Sequence, residues 1–267
     1  MKEKLITYKH SQISYFEFGN GNKIILCFHG YGESAESFLF LETLLAKDFR
    51  IISIDAPFHG KTLWHEGLNF TCGDLREIIS LITPKNEQPF YLLGYSMGGR
   101  IALSLLQAMP SQIERIVLLA TDGLHKNFWY WFSTQTFIGQ KIFAFTMKYP
   151  KAFFLLLKLA GKLKLINNSI DKVTHYYVDD ATERKLLYER WITMRKFKPD
   201  AGKIALLINQ NKIAARFLFG KHDKIILSKR SAVFKNDVEN VKVELLDAGH
   251  QLLKEKYAAD IVKQFYQ

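Results

Sequence analysis

Short apolar runs alternate with stretches of helical periodicity along most of this chain, and that alternation restricts its possible folds more than any other feature. Strand-like segments run from Lys4 to Lys9, Gln12 to Phe18, Ile24 to Phe28 and Arg50 to Ile54, with the turn Gly19-Asn20-Gly21-Asn22 between the second and third. After Gly30-Tyr31-Gly32, Ser34 stands where it can cap a helix whose Phe38, Leu41, Leu44 and Leu45 share one face. A helix is expected from Thr71 to Ile82, ended by Pro84, followed by a strand at Phe90 to Leu93. Ile101, Leu105, Leu106 and Met109 then have helical spacing, and Ile113 to Ala120 returns as strand. The rhythm resumes with Arg216 to Phe219, Val241 to Leu246 and a closing helix from about Gln251 to Phe265. Parallel strands need long crossovers and helices supply them, so the order predicts an α/β fold with a mostly parallel sheet covered on both faces.

Between the two rhythmic parts, roughly Asp122 to Gly202, the pattern changes to long, aromatic, lysine-studded helical segments. The expected organisation is therefore a core of residues 1–121 and 203–267 with a helical cap inserted at 122–202. A length of 267 residues suits one large domain of this kind.

No uninterrupted apolar stretch reaches the roughly 18 to 20 residues of a spanning helix, so no integral membrane segment is expected. Met1 to His10 has no apolar core of the kind a secretory signal needs, and Cys27 and Cys72 have no metal-ligand or redox spacing. A reducing, cytoplasmic setting is the expectation. The formal charge of +11 is concentrated: His125 to Asp200 holds 14 Lys and Arg against 6 Asp and Glu. That local excess does not predict a nucleic-acid partner. His65-Glu66 lacks a second histidine four residues on, and Gly19 to Lys23 lacks the spacing of a phosphate-binding loop, so neither metal nor cofactor is implied.

The chemistry centres on Gly94-Tyr95-Ser96-Met97-Gly98, a G-x-S-x-G pattern between a strand and a helix. In that context the serine occupies a tight turn, and small residues two before and two after it let the backbone reverse. Serine is a weak nucleophile at neutral pH and needs a base, itself oriented by a third group. His250, just past the strand Val241 to Leu246, lies where open α/β sheets place their sites. The acid is expected between serine and histidine in chain order, at a strand end. Asp223 meets that condition and ranks first; Asp122 is the rival. Carbonyl attack creates an oxyanion that needs two N–H donors, for which Met97 and Tyr31, the latter between Gly30 and Gly32, are the candidates. His29 then serves structure rather than acting as a second base.

His29-Gly30, Asp55-x-Pro57, Gly-x-Ser96-x-Gly, Asp223 and His250, in that order, resemble the α/β-hydrolase superfamily across nearly the whole chain. The resemblance implies an eight-stranded, mostly parallel sheet with a helical cap after strand six. It also implies a Ser96, Asp223 and His250 triad with an oxyanion hole at the Tyr31 and Met97 amides. The chain departs from many members at Phe58, where they carry glycine.

These features predict hydrolysis of an uncharged ester, thioester or lactone through an acyl-serine intermediate, on a small-molecule substrate. Gly94 to Arg100 also resembles lyases of the menaquinone pathway, and carbon–carbon bond hydrolases share the scaffold. A non-catalytic binding module fits less well, because all three triad positions are filled. In the cap, Phe128, Trp129, Trp131, Phe132, Phe137, Phe143, Phe145, Phe153 and Phe154 are expected mainly as packing rather than as the lining of an acyl site. Lys141, Lys148, Lys151, Lys158, Lys162 and Lys164 are expected as its solvated face. The alternative is that together they form a basic amphipathic surface for anionic lipid or an acidic substrate.

Overall fold

Eight strands pair in the order β1-β2-β4-β3-β5-β6-β7-β8. The computed structural model describes residues 2–83, 89–125, 127–155, 179–234 and 240–267. Pro84, Lys158, Lys162 and Lys164 lie outside them. β1 (Lys2–Tyr8) and β2 (Ser11–Phe18) form an antiparallel pair, and β2 also runs antiparallel to β4 (Phe49–Ile54). From β4 onward every neighbour is parallel: β3 (Lys23–Phe28), β5 (Phe90–Tyr95), β6 (Ile113–Leu119), β7 (Ala214–Gly220) and β8 (Val241–Leu246). The eight-stranded, mostly parallel sheet expected from the sequence is the one found.

The central strands read as near-continuous apolar runs because both of their faces are covered. Ile25, Leu26, Cys27, Leu92, Leu93, Ile116, Val117, Phe217 and Leu218 have no accessible surface. The described helices that flank the sheet are α1 (Glu42–Leu45), α2 (Cys72–Ile82), α3 (Met97–Ala108), α7 (Ala201–Gln210) and α8 (Ala258–Lys263). Between β6 and β7 lie α4 (Phe128–Gln135), α5 (Phe137–Lys148) and α6 (Ala181–Thr193). Contacts divide the chain into one unit of Met1–Glu66, Phe70–His125 and Lys196–Gln267 and a helical unit of Gly67–Asn69 and Lys126–Arg195.

Two helices differ from expectation. The segment after Ser34 is a 3-10 helix, Ala35–Leu41, before the one-turn α1. Its tighter repeat moves the later residues off the common face, so Leu44 is exposed while Phe38, Leu41 and Leu45 are buried. The closing helix is shorter than Gln251 to Phe265: a 3-10 turn, Glu255–Tyr257, leads into α8. Short backbone bonds from Leu252 N–H to the His250 carbonyl and from Lys254 N–H to the Leu252 carbonyl, both 2.9 Å, hold the intervening chain out of helix.

Helix α2 begins where the sequence indicates. The Thr71 hydroxyl accepts from the Asp74 amide at 3.1 Å and the Asp74 carboxylate accepts from the Thr71 amide at 2.9 Å, a reciprocal capping box. Asp74 also accepts from Tyr8 and Lys9, both at 2.7 Å, which ties α2 to the end of β1. Burial pushes the Asp74 carboxyl up, but the bonds from Lys9, Thr71 and Tyr8 outweigh it and hold the group at about 2. Thr71→Ala is expected to cost about 1 kcal/mol of stability. The check is a lower urea midpoint with an unchanged slope.

Candidate active site

Ser96 sits at the junction of β5 and α3 with φ 51° and ψ −114°, a conformation that side-chain-bearing residues rarely adopt. Surrounding contacts hold it there. The Ser96 N–H donates to the Leu119 carbonyl at 3.0 Å, and the Ser96 carbonyl accepts from the amides of Gly99 and Asp122, each at 3.0 Å. The flanking glycines supply room: a methyl at Gly94 would come within 2.7 Å of Gly99 Cα, and one at Gly98 would overlap the Phe28 carbonyl. A methyl at Gly99 would overlap the Thr121 side chain. The turn therefore packs against the ends of β3 and β6.

His250 Nε2 lies 3.1 Å from Ser96 Oγ, and its Nδ1 lies 2.8 Å from Asp223 Oδ2. Asp223 Oδ1 accepts from the amides of Ile225 at 2.7 Å and Ile226 at 2.9 Å, so both carboxylate oxygens are engaged. With the carboxylate on one side, Nδ1 carries the proton and Nε2 is left to accept from the serine hydroxyl. The Asp223 side chain has no accessible surface, and that of His250 has 15%. Gly220 brings the two loops together, since a methyl there would overlap the Ala248 and Gly249 carbonyls. The His222 amide also donates to the Ala248 carbonyl at 2.9 Å.

Asp122 is held elsewhere. One of its carboxylate oxygens pairs with Arg100 of α3 and the other accepts from the Gly123 amide at 2.7 Å. Met97 opens α3, where a first-turn amide has no intrahelical acceptor. Tyr31 lies between Gly30 and Gly32, the latter with φ 75°, on the loop that follows β3. The approach of Gly98 to Phe28 and His29 brings that loop against the start of α3. His29 is committed to backbone: its Nε2 accepts from the Ala56 amide at 3.1 Å, so Nδ1 carries the proton and donates to the Gly30 carbonyl at 2.8 Å. Phe58, in the loop after β4, has φ 63°, the left-handed conformation a glycine would take. The buried Asp55 braces that loop by accepting from the amides of Ala35 at 2.6 Å and Lys61 at 3.1 Å.

Two further groups adjoin the site, and the sequence pattern does not single them out. The Tyr95 hydroxyl donates to the His250 carbonyl at 3.3 Å, and the two rings lie 5.6 Å apart. Burial, then the charges of Glu33 and Asp223, raise the Tyr95 phenol. Glu33 stands on the loop after β3, and its Oε2 is buried with no hydrogen-bond partner among the described residues. Burial raises its carboxyl above the ordinary value, opposed in part by the Gly30 amide and Lys254. A serine, imidazole and carboxylate in line, beside a helix N-terminus and a glycine-flanked amide, can attack a carbonyl and hold the resulting oxyanion.

The family described as serine aminopeptidase, S33, matches residues 19–257. Two curated relatives align along nearly the full chain. The monoacylglycerol lipase abhd6-B of Xenopus laevis and the monoacylglycerol lipase ABHD6 of Homo sapiens are each 22% identical, over 96% of this chain and 79% of theirs. Among solved structures, the enol-lactonase of Burkholderia xenovorans LB400 has the same fold, with a TM-score of 0.66 over 99% of this chain and all of its own, at 16% identity.

The Glu33 carboxyl gives the site a measurable pH signature. Its folded value lies above the ordinary 4.5, so the native state binds this proton more tightly than the unfolded chain does. Its contribution to stability is present at low pH and is lost as pH rises through the raised value. Glu33→Gln is permanently neutral and escapes that loss. Its melting temperature is expected to exceed the wild-type value at about pH 7 but not at about pH 4. An offset that does not change with pH would show that Glu33 is not strained by burial.

Proposed function

Because this chain belongs to the serine aminopeptidase S33 family of α/β-hydrolases, and is thus an enzyme of the hydrolase class, we propose that it cleaves a small uncharged ester, thioester or lactone through an acyl-serine intermediate. The observation that carries this reading is the continuous line Asp223–His250–Ser96, with both contacts at hydrogen-bond distance. The preference for esters is supported by the relatives, which are named as monoacylglycerol lipases and an enol-lactonase. An apolar acyl group is part of the same reading, supported by the monoacylglycerol lipases among the relatives. The helical insertion between β6 and β7 takes the role of a cap by its place in the chain, and a cytoplasmic setting remains part of the proposal.

In this mechanism His250 Nε2 accepts the Ser96 hydroxyl proton as Oγ bonds to the substrate carbonyl carbon. The imidazolium that forms is stabilised by Asp223, and the carbonyl oxygen, now negative, is bound by the amides of Tyr31 and Met97. Collapse expels the alcohol or thiol, which receives the proton from His250 and leaves the acyl group on Ser96. Water then repeats the sequence: His250 takes its proton, the hydroxide oxygen bonds to the acyl carbon, and the acid departs as the proton returns to Ser96. Asp122 has no part in this, since it is occupied by Arg100.

A panel of aryl esters, thioesters, lactones and aminoacyl anilides, assayed with wild type and three variants, tests the proposal. Ser96→Ala should lower kcat on the favoured ester by on the order of 10⁶-fold. Asp223→Asn should lower it by roughly 10⁴-fold and Asp122→Asn by less than about tenfold. Substantial activity in Ser96→Ala, or the reverse ranking of the aspartates, would overturn the mechanism. Preference for aminoacyl anilides would move the reaction to the aminopeptidase class that the family description names.

A further inference from the structure

From Gly123 to Ile170 the chain carries seven lysines and no aspartate, glutamate or arginine. The described helices of this stretch also turn many of their large apolar side chains to water. Phe128, Trp129 and Trp131 of α4 and Phe137, Ile138, Ile142 and Phe145 of α5 are all exposed, Trp129 at 70% and Phe137 at 76%. This corrects the expectation that the aromatics serve mainly as packing: Phe143 is buried, but five of the nine named there are exposed.

On α5 the arrangement is sharply sided. At 3.6 residues per turn, Phe137, Ile138, Ile142 and Phe145 occupy an arc of about 140°, with Lys141 and Lys148 within its edge. Gly139, Phe143 and Thr146, on the opposite side, are the buried residues of that helix. Lys141 Nζ lies 5.4 Å from the Phe137 ring and Lys148 Nζ 5.3 Å from the Tyr149 ring, so charge and apolar surface are interleaved. An exposed apolar face of this extent marks an interaction surface.

We propose that the α4–α5 face docks onto an anionic lipid bilayer, its aromatic and aliphatic side chains entering the interface and its lysines meeting the headgroups. The chemistry favours this occupant over others. A second copy of the same face would set lysines against lysines. Nucleic acid would leave Ile138, Ile142 and Phe137 without a partner. Lysine is a point charge suited to dispersed headgroups, and the planar arginine fork that would recognise a fixed carboxylate is missing throughout the stretch. Large apolar side chains beside lysines are the composition of interfacial helices.

Co-sedimentation of the full chain with phosphatidylcholine vesicles, with and without phosphatidylglycerol, tests the proposal. Binding is expected only to the anionic vesicles and should weaken steeply as salt is raised, since the Debye length is only about 10 Å at 0.1 M. Each lysine lost at the surface should weaken binding about fivefold, so Lys141→Glu with Lys148→Glu should weaken it by at least about 25-fold. Phe137→Ser with Ile138→Ser should weaken it as well, and unchanged melting temperatures would show that both variants fold. The proposal is overturned if wild type fails to sediment with anionic vesicles at low salt, or if either double variant sediments equally well. It is also overturned if wild type forms a dimer that Phe137→Ser with Ile138→Ser dissolves, because the occupant is then a second copy.

Discussion

The left-handed backbone at Ser96 is the constraint from which the rest of the site follows. A residue with a side chain at φ 51° costs on the order of 1–3 kcal/mol, and such a conformation persists only where the surroundings over-determine it. Here the surroundings are the carbonyl of Leu119, the amides of Gly99 and Asp122, and three glycines with no room for a methyl. Leu119, Thr121 and Asp122 tie the turn to the end of β6, Phe28 ties it to the end of β3, and Gly94 and Gly99 close it on itself. The contacts that hold the strain therefore gather the carboxyl ends of β3, β5 and β6 around the turn, where the sheet order reverses and open α/β sheets place their sites.

The remaining groups converge because every strand from β4 to β8 points the same way. Parallel strands deliver their following loops to one edge, so residues 96, 223 and 250 meet although far apart in the chain. Gly220 closes the distance between the last two loops, and the buried Asp223 then has its carboxylate satisfied by two amides and one imidazole. A buried carboxylate so fully bonded is held in one orientation, and it sets the tautomer of His250 in turn.

The strands were legible to within about two residues because those buried on both faces are near-continuous apolar runs. The turn at Ser96 was legible because its glycines are demanded by geometry. Asp122 and Asp223 look alike in sequence, each following a strand; Arg100, one turn into α3, separates them by occupying Asp122. Phe58, where many members of the resembled superfamily carry glycine, itself holds φ 63° in a loop braced by Asp55. Tyr95 and Glu33 were not legible, since a tyrosine inside G-x-S-x-G and a glutamate in a loop carry no periodic or motif signal of contact with His250 or Gly30. The direction in which α4 and α5 face was equally hidden, because a helix apolar on most sides gives no pattern that tells inside from outside.

The central claim is that Ser96 is activated by His250 as one unit with Asp223. It is tested most directly by intact and peptide mass spectrometry after treatment with a fluorophosphonate. The account predicts one adduct per chain, on the peptide that contains Ser96, and no detectable adduct in the same time with His250→Ala. An adduct on another residue, or labelling of Ser96 that proceeds equally fast without His250, would contradict it.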